Sequence, residues 1–183
     1  MACEYSGTVR DAFRSRGHYA MSCDLLPTDV DGLHYQGDVF DIIDEGWDLM
    51  IAHPPCTYLC NSGVCWLHKD PTRWAKMEAG ALFFKRLLFS DIPKIAVENP
   101  IMHKYAKSII GVDQTQVIQP WMFGHGETKA TCLWLRGLPK LQPTNIVAGR
   151  EQRLYRLPPS KDRWKIRSKT YEGIAEAKAE QWG

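Results

Sequence analysis

Residues 48–57 have the sequence DLMIAHPPCT, and the organisation of the chain can be inferred outward from them. The apolar run Leu49–Ala52 predicts a short strand that is buried on both faces, as in a parallel sheet. Pro54 and Pro55 end that strand, because neither has an amide N–H to donate to a neighbouring strand. Cys56 is then the first residue free to react, and it follows a strand end, where open α/β sheets bind ligands. Its thiol is a candidate nucleophile if its pKa is lowered; the alternative is a small buried apolar residue, as most free cysteines are.

The overall composition predicts a globular protein of one domain. The chain has 183 residues, of which 44% are hydrophobic and 24% charged, which is ordinary for a soluble protein. We find no apolar run that could span a bilayer and no basic-then-apolar leader, so we expect a cytoplasmic protein that does not contact a membrane. The six cysteines are too few for a disulfide framework at this length, and we expect them to be reduced.

The charge is unevenly distributed along the chain. We divide the chain into an α/β domain of residues 1–149 and a segment of residues 150–183, which combines a basic stretch with a C-terminal helix that packs on the same domain. Residues 150–169 contain eight Lys and Arg residues against two acids. With Tyr155 and Trp164 among them, these cations could follow a phosphate backbone and offer stacking surfaces. A solvated face or linker is an equally good interpretation of the same charges.

Polar residues also stand at three other predicted strand ends. Gly7 permits a tight turn from a very short first strand into a helix that stops at Gly17. The N-terminus of that helix could hold a ligand with carboxylate or hydroxyl groups. Asp24 ends the second strand, where the acid of a nucleotide-binding α/β unit accepts hydrogen bonds from ribose hydroxyls. Asp38 stands at a third strand end.

Residues 93–100 repeat the design of the central stretch, with a short apolar run followed by polar residues and a proline. This pattern predicts that Glu98 lies at the end of another buried strand. A carboxyl group in a partly buried pocket tends to have a raised pKa and can then hold or donate a proton. The alternative is an ordinary Asn-Pro turn that follows an exposed glutamate.

Apolar periodicity predicts the remaining elements. Apolar residues recur at spacings of three and four over residues 73–88, which predicts a helix that packs on the core. Residues 130–135 predict a late strand that pairs antiparallel at the sheet edge, and residues 171–182 predict a C-terminal helix. We expect Ile174 and Trp182 on the inward face of that helix.

Three further metal-binding residue types follow Cys56 closely, namely Cys60, Cys65 and His68. Their spacing, Cys-x3-Cys-x4-Cys-x2-His, lacks the Cys-x2-Cys pair that is typical of zinc knuckles. We therefore expect no metal in this part of the chain.

In this order, the motifs resemble those of the cytosine-5 DNA methyltransferases, and more closely a compact phage and prophage type of that family. Pro55-Cys56 is similar to the catalytic Pro-Cys pair of the family, and Glu98-Asn99 is similar to its Glu-Asn pair. Tyr5-Ser6-Gly7 resembles the aromatic-x-Gly turn that holds the cofactor. The resemblance extends over about residues 3–135, and no large target-recognition domain fits after it.

The resemblance implies a fold, a cofactor and a set of binding residues. The implied fold is the Rossmann-like α/β fold of S-adenosylmethionine-dependent methyltransferases, a single three-layer domain with a mostly parallel sheet. The implied cofactor is S-adenosylmethionine, with Asp24 and Asp38 in the places of the ribose-binding and adenine-binding acids of the family. The residues implied to bind the cofactor are Tyr5, Ser6, Gly7, Asp24, Asp38 and Pro54.

The reaction implied by the resemblance is methylation of carbon 5 of a cytosine. Cys56 would attack carbon 6 while Glu98 hydrogen-bonds the ring, with the base flipped out of the stack or part of a single strand. The implied substrate is nucleic acid, with DNA as the first choice. A protein partner is a candidate for target recognition. The residues assigned to phosphate contacts are Lys129, Arg163, Lys165 and Arg167.

Two other functions stay open on the sequence alone. His53-Pro54-Pro55 resembles the Pro-Pro turn of amino-methyltransferases of DNA bases, but that class has an aromatic residue where this chain has Cys56. The chain could also be a catalytically inactive, methyltransferase-like protein that binds nucleic acid through residues 150–169. The single glycine of the turn at Gly7 favours this second alternative.

Overall fold

A mixed β-sheet with helices on both faces is the frame of the protein, and the computed structural model describes residues 1–183. The strands are β1 (Ser22–Asp24), β2 (His34–Gln36), β3 (Leu49–Ala52), β4 (Lys94–Pro100), β5 (Gln116–Ile118) and β6 (Thr131–Arg136). The helices are α1 (Thr8–Arg14), α2 (Cys65–Lys69), α3 (Thr72–Leu88), α4 (Lys104–Ile110), α5 (Arg153–Arg156), α6 (Arg163–Ser168) and α7 (Glu172–Trp182). No helix combines the length and the apolar composition that crossing a bilayer requires.

Strand β6 lies inside the sheet, so the prediction of an edge strand at this position was wrong. It pairs antiparallel with β4 on one side and with β5 on the other, which makes β5 the edge strand. Cys132, Leu133 and Trp134 are buried in succession, as is typical of an interior strand. The error has a physical reason, because β5 has only three residues and no alternation that could identify it. The sheet is mixed rather than mostly parallel. The pairs β1–β2 and β3–β4 are parallel, whereas the pairs β4–β6 and β5–β6 are antiparallel.

A single residue, Ala2, joins the two parts of the sheet. It forms parallel bridges to Cys23 of β1 and to Ala52 of β3. Its amide donates to the carbonyl of Ile51 at 2.8 Å, and its carbonyl accepts from the amide of His53 at 2.9 Å. The very short first strand predicted from the sequence is thus one residue long, and the strand order across the sheet is β2-β1-Ala2-β3-β4-β6-β5.

The two faces of the sheet carry separate cores. Successive strand residues point to opposite faces, so the consecutive apolar residues of β3 and β4 supply both cores. Ile51 and Ala96 pack in one cluster with residues of α1 and α7. Met50 and Ile95 pack in the other cluster with residues of α3 and α4. The prediction that residues 49–52 form a strand buried on both faces is therefore confirmed.

The two long helices agree with the sequence prediction. Helix α3 spans Thr72–Leu88 and buries Met77, Ala81 and Phe84, which lie on the predicted face. Helix α7 spans Glu172–Trp182. Helix α4 was not predicted, because its seven residues are too few to show a clear period.

Glu98 lies within β4 rather than at its end, so the predicted position of the strand end was wrong. The pairing with β6 continues to Pro100, because β6 offers backbone partners beyond the point where β3 stops. The last pair between β3 and β4 joins Ala52 to Val97. Glu98 is thus the first residue of β4 beyond the carboxyl end of β3. The residue that directly follows β3 is His53.

Candidate functional site

Glu98 is the centre of a buried cluster of charged and titratable side chains. The ammonium of Lys178 on α7 donates a hydrogen bond to Glu98 Oε1, and His53 Nε2 lies 3.7 Å from the same oxygen. The Lys178 side chain has no exposed surface and that of Glu98 is 11% exposed. Burial raises the pKa of Glu98, but the charge and hydrogen bond of Lys178, together with His53 when it is protonated, outweigh burial and leave the pKa below its ordinary value. The raised pKa expected from the sequence was therefore wrong.

Lys178 was not found from the sequence, although a weak signal exists. Ile174, Lys178 and Trp182 follow one another at a spacing of four, which places them on one stripe of α7. All three are buried. A lysine between two apolar residues of one stripe is unusual, because lysine is almost never fully buried without a partner. Its partner, Glu98, lies 80 positions away in the chain, so the sequence could not identify it.

His53 completes the cluster on the side of β3. Its Nε2 atom is buried and has no hydrogen-bond partner. Burial lowers the pKa of the imidazole, and the opposing effect of Glu98 is smaller. The ring is therefore neutral near pH 7, and the ion pair of the cluster is the one between Lys178 and Glu98.

Cys56 lies on a tight turn directly after the proline pair. Its carbonyl accepts hydrogen bonds from the amides of Leu59 at 3.0 Å and Cys60 at 3.1 Å, which brings the two cysteines one helical turn apart. The hydrogen bond between the two thiols, followed by burial, raises the pKa of Cys56, whereas the same hydrogen bond lowers the pKa of Cys60. The lowered pKa that a thiolate nucleophile needs is therefore absent at Cys56 in this state.

Lys129 interacts electrostatically with both catalytic candidates. Burial lowers the pKa of its ammonium, and the charges of Glu98 and Cys56 act in the opposite direction. The ammonium donates a hydrogen bond to the carbonyl of Lys169 at 3.0 Å. One of the three donors of the ammonium is thus used by the C-terminal segment, and the phosphate contact of Lys129 stays a prediction.

The turn before α1 has the predicted conformation, but its amides are already occupied. Gly7 has a φ of 72°, which favours glycine. The carboxylate of Glu4 accepts hydrogen bonds from the amides of Val9 at 2.6 Å and Arg10 at 3.1 Å. Ser6 donates its hydroxyl to the same carboxylate at 3.3 Å. The predicted ligand site at this helix N-terminus is therefore filled by the protein's own acid, which the sequence analysis missed.

Tyr5 is covered by the basic segment near the C-terminus. Its hydroxyl shares a hydrogen bond of 2.8 Å with that of Ser168, and its ring lies 5.8 Å from the ring of Trp164. The ammonium of Lys165 lies 6.0 Å from the centre of the Tyr5 ring. Lys169 forms an ion pair of 3.1 Å with Asp29 in the loop after β1. Helix α6 thus lies against the turn that was predicted to bind the cofactor.

The predicted phosphate-binding residues of α6 differ in their exposure. Arg167 is exposed to solvent. Arg163 donates to the carbonyl of Tyr155 at 3.4 Å and is partly buried, and Lys165 is packed over the Tyr5 ring. Of these three cations, Arg167 is the one most available to a phosphate.

The two aspartates of the predicted cofactor site each cap a turn. Asp24 Oδ1 accepts from the amide of Leu26 at 2.9 Å, and Asp38 Oδ1 accepts from the amide of Phe40 at 3.0 Å. The second carboxylate oxygen of each aspartate has no hydrogen-bond donor within the protein and could accept from a ligand. Pro54 is buried at the end of β3.

These polar atoms show how well the site fits S-adenosylmethionine. The free oxygens of Asp24 and Asp38 suit the hydroxyl and amino donors of the adenosine half. The first amides of α1 suit no carboxylate, because Glu4 already binds them. The residues fit the adenosine half of the cofactor, and its carboxylate would need a partner other than the N-terminus of α1.

The structure groups no three histidine, cysteine or acidic side chains in an arrangement that could hold a metal ion. The three thiols and the imidazole considered for zinc are therefore not gathered around one point. Cys56 and Cys60 interact as a pair, and His68 packs instead against Trp74, at 5.6 Å between ring centres.

No protein-family model matches the chain, and no curated protein is similar to it. Among solved structures, the chain is similar to the crystal structure of an E. coli prophage protein assigned as a DNA modification methyltransferase, with a TM-score of 0.49 and 15% sequence identity. The match covers 79% of this chain and 50% of the other, so this chain spans about half the length of that protein. At this level, the similarity says nothing about the reaction or the site residues of the present chain.

Proposed function

We propose that this protein methylates carbon 5 of cytosine in DNA, with Cys56 as the nucleophile and Glu98 as the residue that binds the ring. The observation that supports this most strongly is the buried carboxylate of Glu98 beside the end of β3, the strand that leads through Pro54 and Pro55 to Cys56. A thiol that follows a strand end and a carboxylate on the neighbouring strand suit attack on one edge of a planar ring and recognition of another. The resemblance of the Pro-Cys and Glu-Asn pairs to cytosine-5 DNA methyltransferases gives the same assignment.

The nucleophile must first lose its proton. Cys60 and burial both raise the pKa of Cys56, so its proton has to pass to solvent as Cys56 attacks carbon 6. The positive charge of Lys129 lowers the pKa of Cys56 against the effects of the thiol pair and of burial. Attack forms a carbon–sulfur bond and moves electron density toward carbon 5 of the ring.

Glu98 binds the ring during this step. As a carboxylate it accepts a hydrogen bond from the exocyclic amino group of cytosine, which donates only. S-adenosylmethionine would supply the methyl group that carbon 5 takes and would depart as S-adenosylhomocysteine, and Asp24 and Asp38 would hold its adenosine half. Loss of the carbon-5 proton to solvent then expels Cys56 as a thiolate and restores the ring double bond.

The base has to be accessible before Cys56 can reach it. An enzyme that reacts at a base edge either flips the base out of a duplex or binds a single strand. Tyr155 and Trp164 of the basic segment are 77% and 50% exposed and offer surfaces on which bases can stack. Arg167 adds an exposed cation to the same segment.

The test is transfer of a labelled methyl group to DNA, with the product identified as 5-methylcytosine by mass spectrometry of the nucleosides. Wild type is compared with Cys56→Ser and with Cys65→Ser, which removes an exposed thiol instead. We expect Cys56→Ser to lose at least about 10²-fold in rate, because a covalent step cannot proceed without the thiol, while Cys65→Ser keeps the wild-type rate. Unchanged transfer by Cys56→Ser, or label on another atom of the base, would overturn the proposal.

A second function is favoured by the turn before α1. There Glu4 fills the helix N-terminus and α6 covers Tyr5, as in a protein that binds nucleic acid without using the cofactor. Calorimetry distinguishes the two functions. Salt-sensitive binding of DNA without any binding of S-adenosylmethionine would favour the second function over methyl transfer.

A further inference from the structure

We propose that Lys178 is a positioning residue for Glu98, which keeps that side chain ionised and holds Oε1 so that Oε2 faces the bound base. The inference rests on the proposed function, since it assigns a role to Lys178 in the same reaction. It concerns a residue of α7 that no sequence motif identifies.

The burial of Lys178 is the first argument. Its side chain has no exposed surface, on a helix that also buries the small apolar residues Ala175, Ala177 and Ala179. An apolar side chain of similar length, such as methionine, would fill this position without the desolvation cost of an ammonium group. A buried ion pair is weak evidence of a stabilising role, so the presence of lysine here calls for another explanation.

The geometry of the carboxylate is the second argument. Lys178 donates its hydrogen bond to Oε1 of Glu98, and His53 Nε2 lies 3.7 Å from the same oxygen. No side chain or amide of the protein donates a hydrogen bond to Oε2, and the Glu98 side chain keeps a small exposed surface. Lys178 therefore holds the carboxylate through Oε1 and leaves Oε2 free for the amino group of the base.

The third argument comes from the charges that face Glu98. They are Lys178 from α7, His53 after β3 and Lys129 before β6. His53 is neutral near pH 7, because burial lowers its pKa. Lys129 donates its hydrogen bond to a carbonyl of the C-terminal segment and not to Glu98. Lys178 is thus the cation that bonds Glu98 directly, and without it burial would raise the pKa of Glu98 with little opposition.

The role predicts a specific pattern in a double-mutant cycle of Lys178→Met and Glu98→Gln. Methyl transfer to a cytosine-containing oligonucleotide is measured between pH 5 and 9 for the wild type, both single variants and the double variant. We expect Lys178→Met to lower kcat by roughly 10²-fold at pH 7 with a smaller effect on KM, and to shift the acidic limb of its pH profile upward. In the Glu98→Gln background, Lys178→Met should have no further effect on kcat, because the lysine acts through the carboxylate.

A control on the same helix separates this role from a general effect on α7. Glu176→Gln changes an exposed residue of the helix and should leave the pH profile as it is in the wild type. A merely structural lysine would lower kcat equally in both backgrounds, in proportion to lost thermal stability, and would leave the acidic limb in place. That result would overturn the proposal.

A second measurement follows the carboxyl group itself. In protein with ¹³C-labelled glutamate, the Glu98 signal is identified by its loss in Glu98→Gln and titrated in the wild type and in Lys178→Met. We expect a higher titration midpoint in Lys178→Met, and equal midpoints would overturn the role of Lys178 whatever the activity. An inactive wild type would instead overturn the proposed function, whereas an active wild type with an unchanged Lys178→Met profile would overturn only this inference.

Discussion

The cluster around Glu98 and the turn before α1 both place a buried carboxylate next to the end of a strand, but they differ in how their polar groups are satisfied. In the turn, Glu4 binds the amides of Val9 and Arg10 and the hydroxyl of Ser6, so each donor has its acceptor within the protein. In the cluster, His53 Nε2 is buried without a partner and one oxygen of Glu98 has no donor. A buried polar atom without a partner is costly, so it is expected where a ligand supplies the partner. This difference supports our proposal that the cluster is the functional region, and it assigns the turn a structural role.

The largest effect is expected from Glu98→Gln, which leaves the buried ammonium of Lys178 without its counterion. Loss of one partner of a buried ion pair costs about 3–5 kcal/mol of unfolding free energy, and loss of the ring-binding carboxylate should lower methyl transfer by about 10²–10⁴-fold. Urea denaturation and the labelled-methyl assay measure the two effects. The double variant Glu98→Gln/Lys178→Met should regain most of the stability but none of the activity. A fully active Glu98→Gln would show that the carboxylate of Glu98 is not needed for methyl transfer.

The same variant predicts a pH dependence of stability. The pKa of Glu98 is lowered in the folded protein, because burial, which raises it, is outweighed by the combined effects of its neighbours, with Lys178 first among them. Its contribution to stability is therefore complete above the ordinary carboxyl pKa and is lost as the pH falls through the lowered value. Glu98→Gln should lose this part of the acid sensitivity between about pH 4.5 and lower values. An identical acid profile in both proteins would contradict the lowered pKa.

The next largest effect is expected at the turn, from Gly7→Ala. A Cβ on Gly7 would lie 2.7 Å from Val30 and 2.6 Å from the guanidinium of Arg10, at a φ of 72°. Both strain and overlap oppose it, so we expect a loss of about 2–3 kcal/mol in unfolding free energy. Gly17→Ala is the matched control, because its φ of 87° brings the strain without any atom within 4 Å. It should cost only about 1 kcal/mol, and equal losses would mean that the turn is not packed as described.

Features that depend on neighbouring residues in the chain were predicted from the sequence. Contacts between residues that lie far apart in the chain were not. The apolar run of β3 and the period of α3 are local patterns, so both elements were predicted close to their observed bounds. Cys56 and Glu98 were identified because each follows an apolar run. Lys178 was missed, because the period of α7 shows which stripe faces inward but not which strand lies opposite. The interior position of β6 was missed for the same reason, since strand order is a property of the whole sheet.

Glu4 shows a second reason for incomplete prediction. An acid three residues before a glycine turn has many possible partners, and only the folded backbone shows that its carboxylate meets the amides of α1. A helix N-terminus accepts the carboxylate of a side chain as readily as that of a ligand. The sequence pattern therefore predicted an anion at this position correctly, but it assigned the anion to the wrong molecule.

A smaller effect is expected at the thiol pair. Cys56 can act as the nucleophile beside the Glu98 cluster only if its thiol can lose its proton. Cys60→Ser removes the side chain that contributes most to the raised pKa of Cys56, so that pKa should fall toward its ordinary value. We expect Cys56 to react at least about 10-fold faster with iodoacetamide at pH 8, since one pKa unit changes the thiolate fraction tenfold. Peptide mass spectrometry measures the modification of each cysteine. An unchanged rate at Cys56 would mean that the two thiols do not share a proton, and Cys65→Ser serves as the control.

The smallest effect is expected from Lys169→Ala, which loosens the segment that lies over the turn. The ion pair between Lys169 and Asp29 is half-exposed, so its loss should change the unfolding free energy by less than about 1 kcal/mol. If α6 only covers Tyr5, binding of S-adenosylmethionine measured by calorimetry should become tighter or stay unchanged. Lys161→Ala, an exposed lysine of the same segment, controls for the lost charge. Weaker cofactor binding in Lys169→Ala, but not in Lys161→Ala, would show that the segment is part of the cofactor site. The turn before α1 would then be a functional region, as the Glu98 cluster is proposed to be.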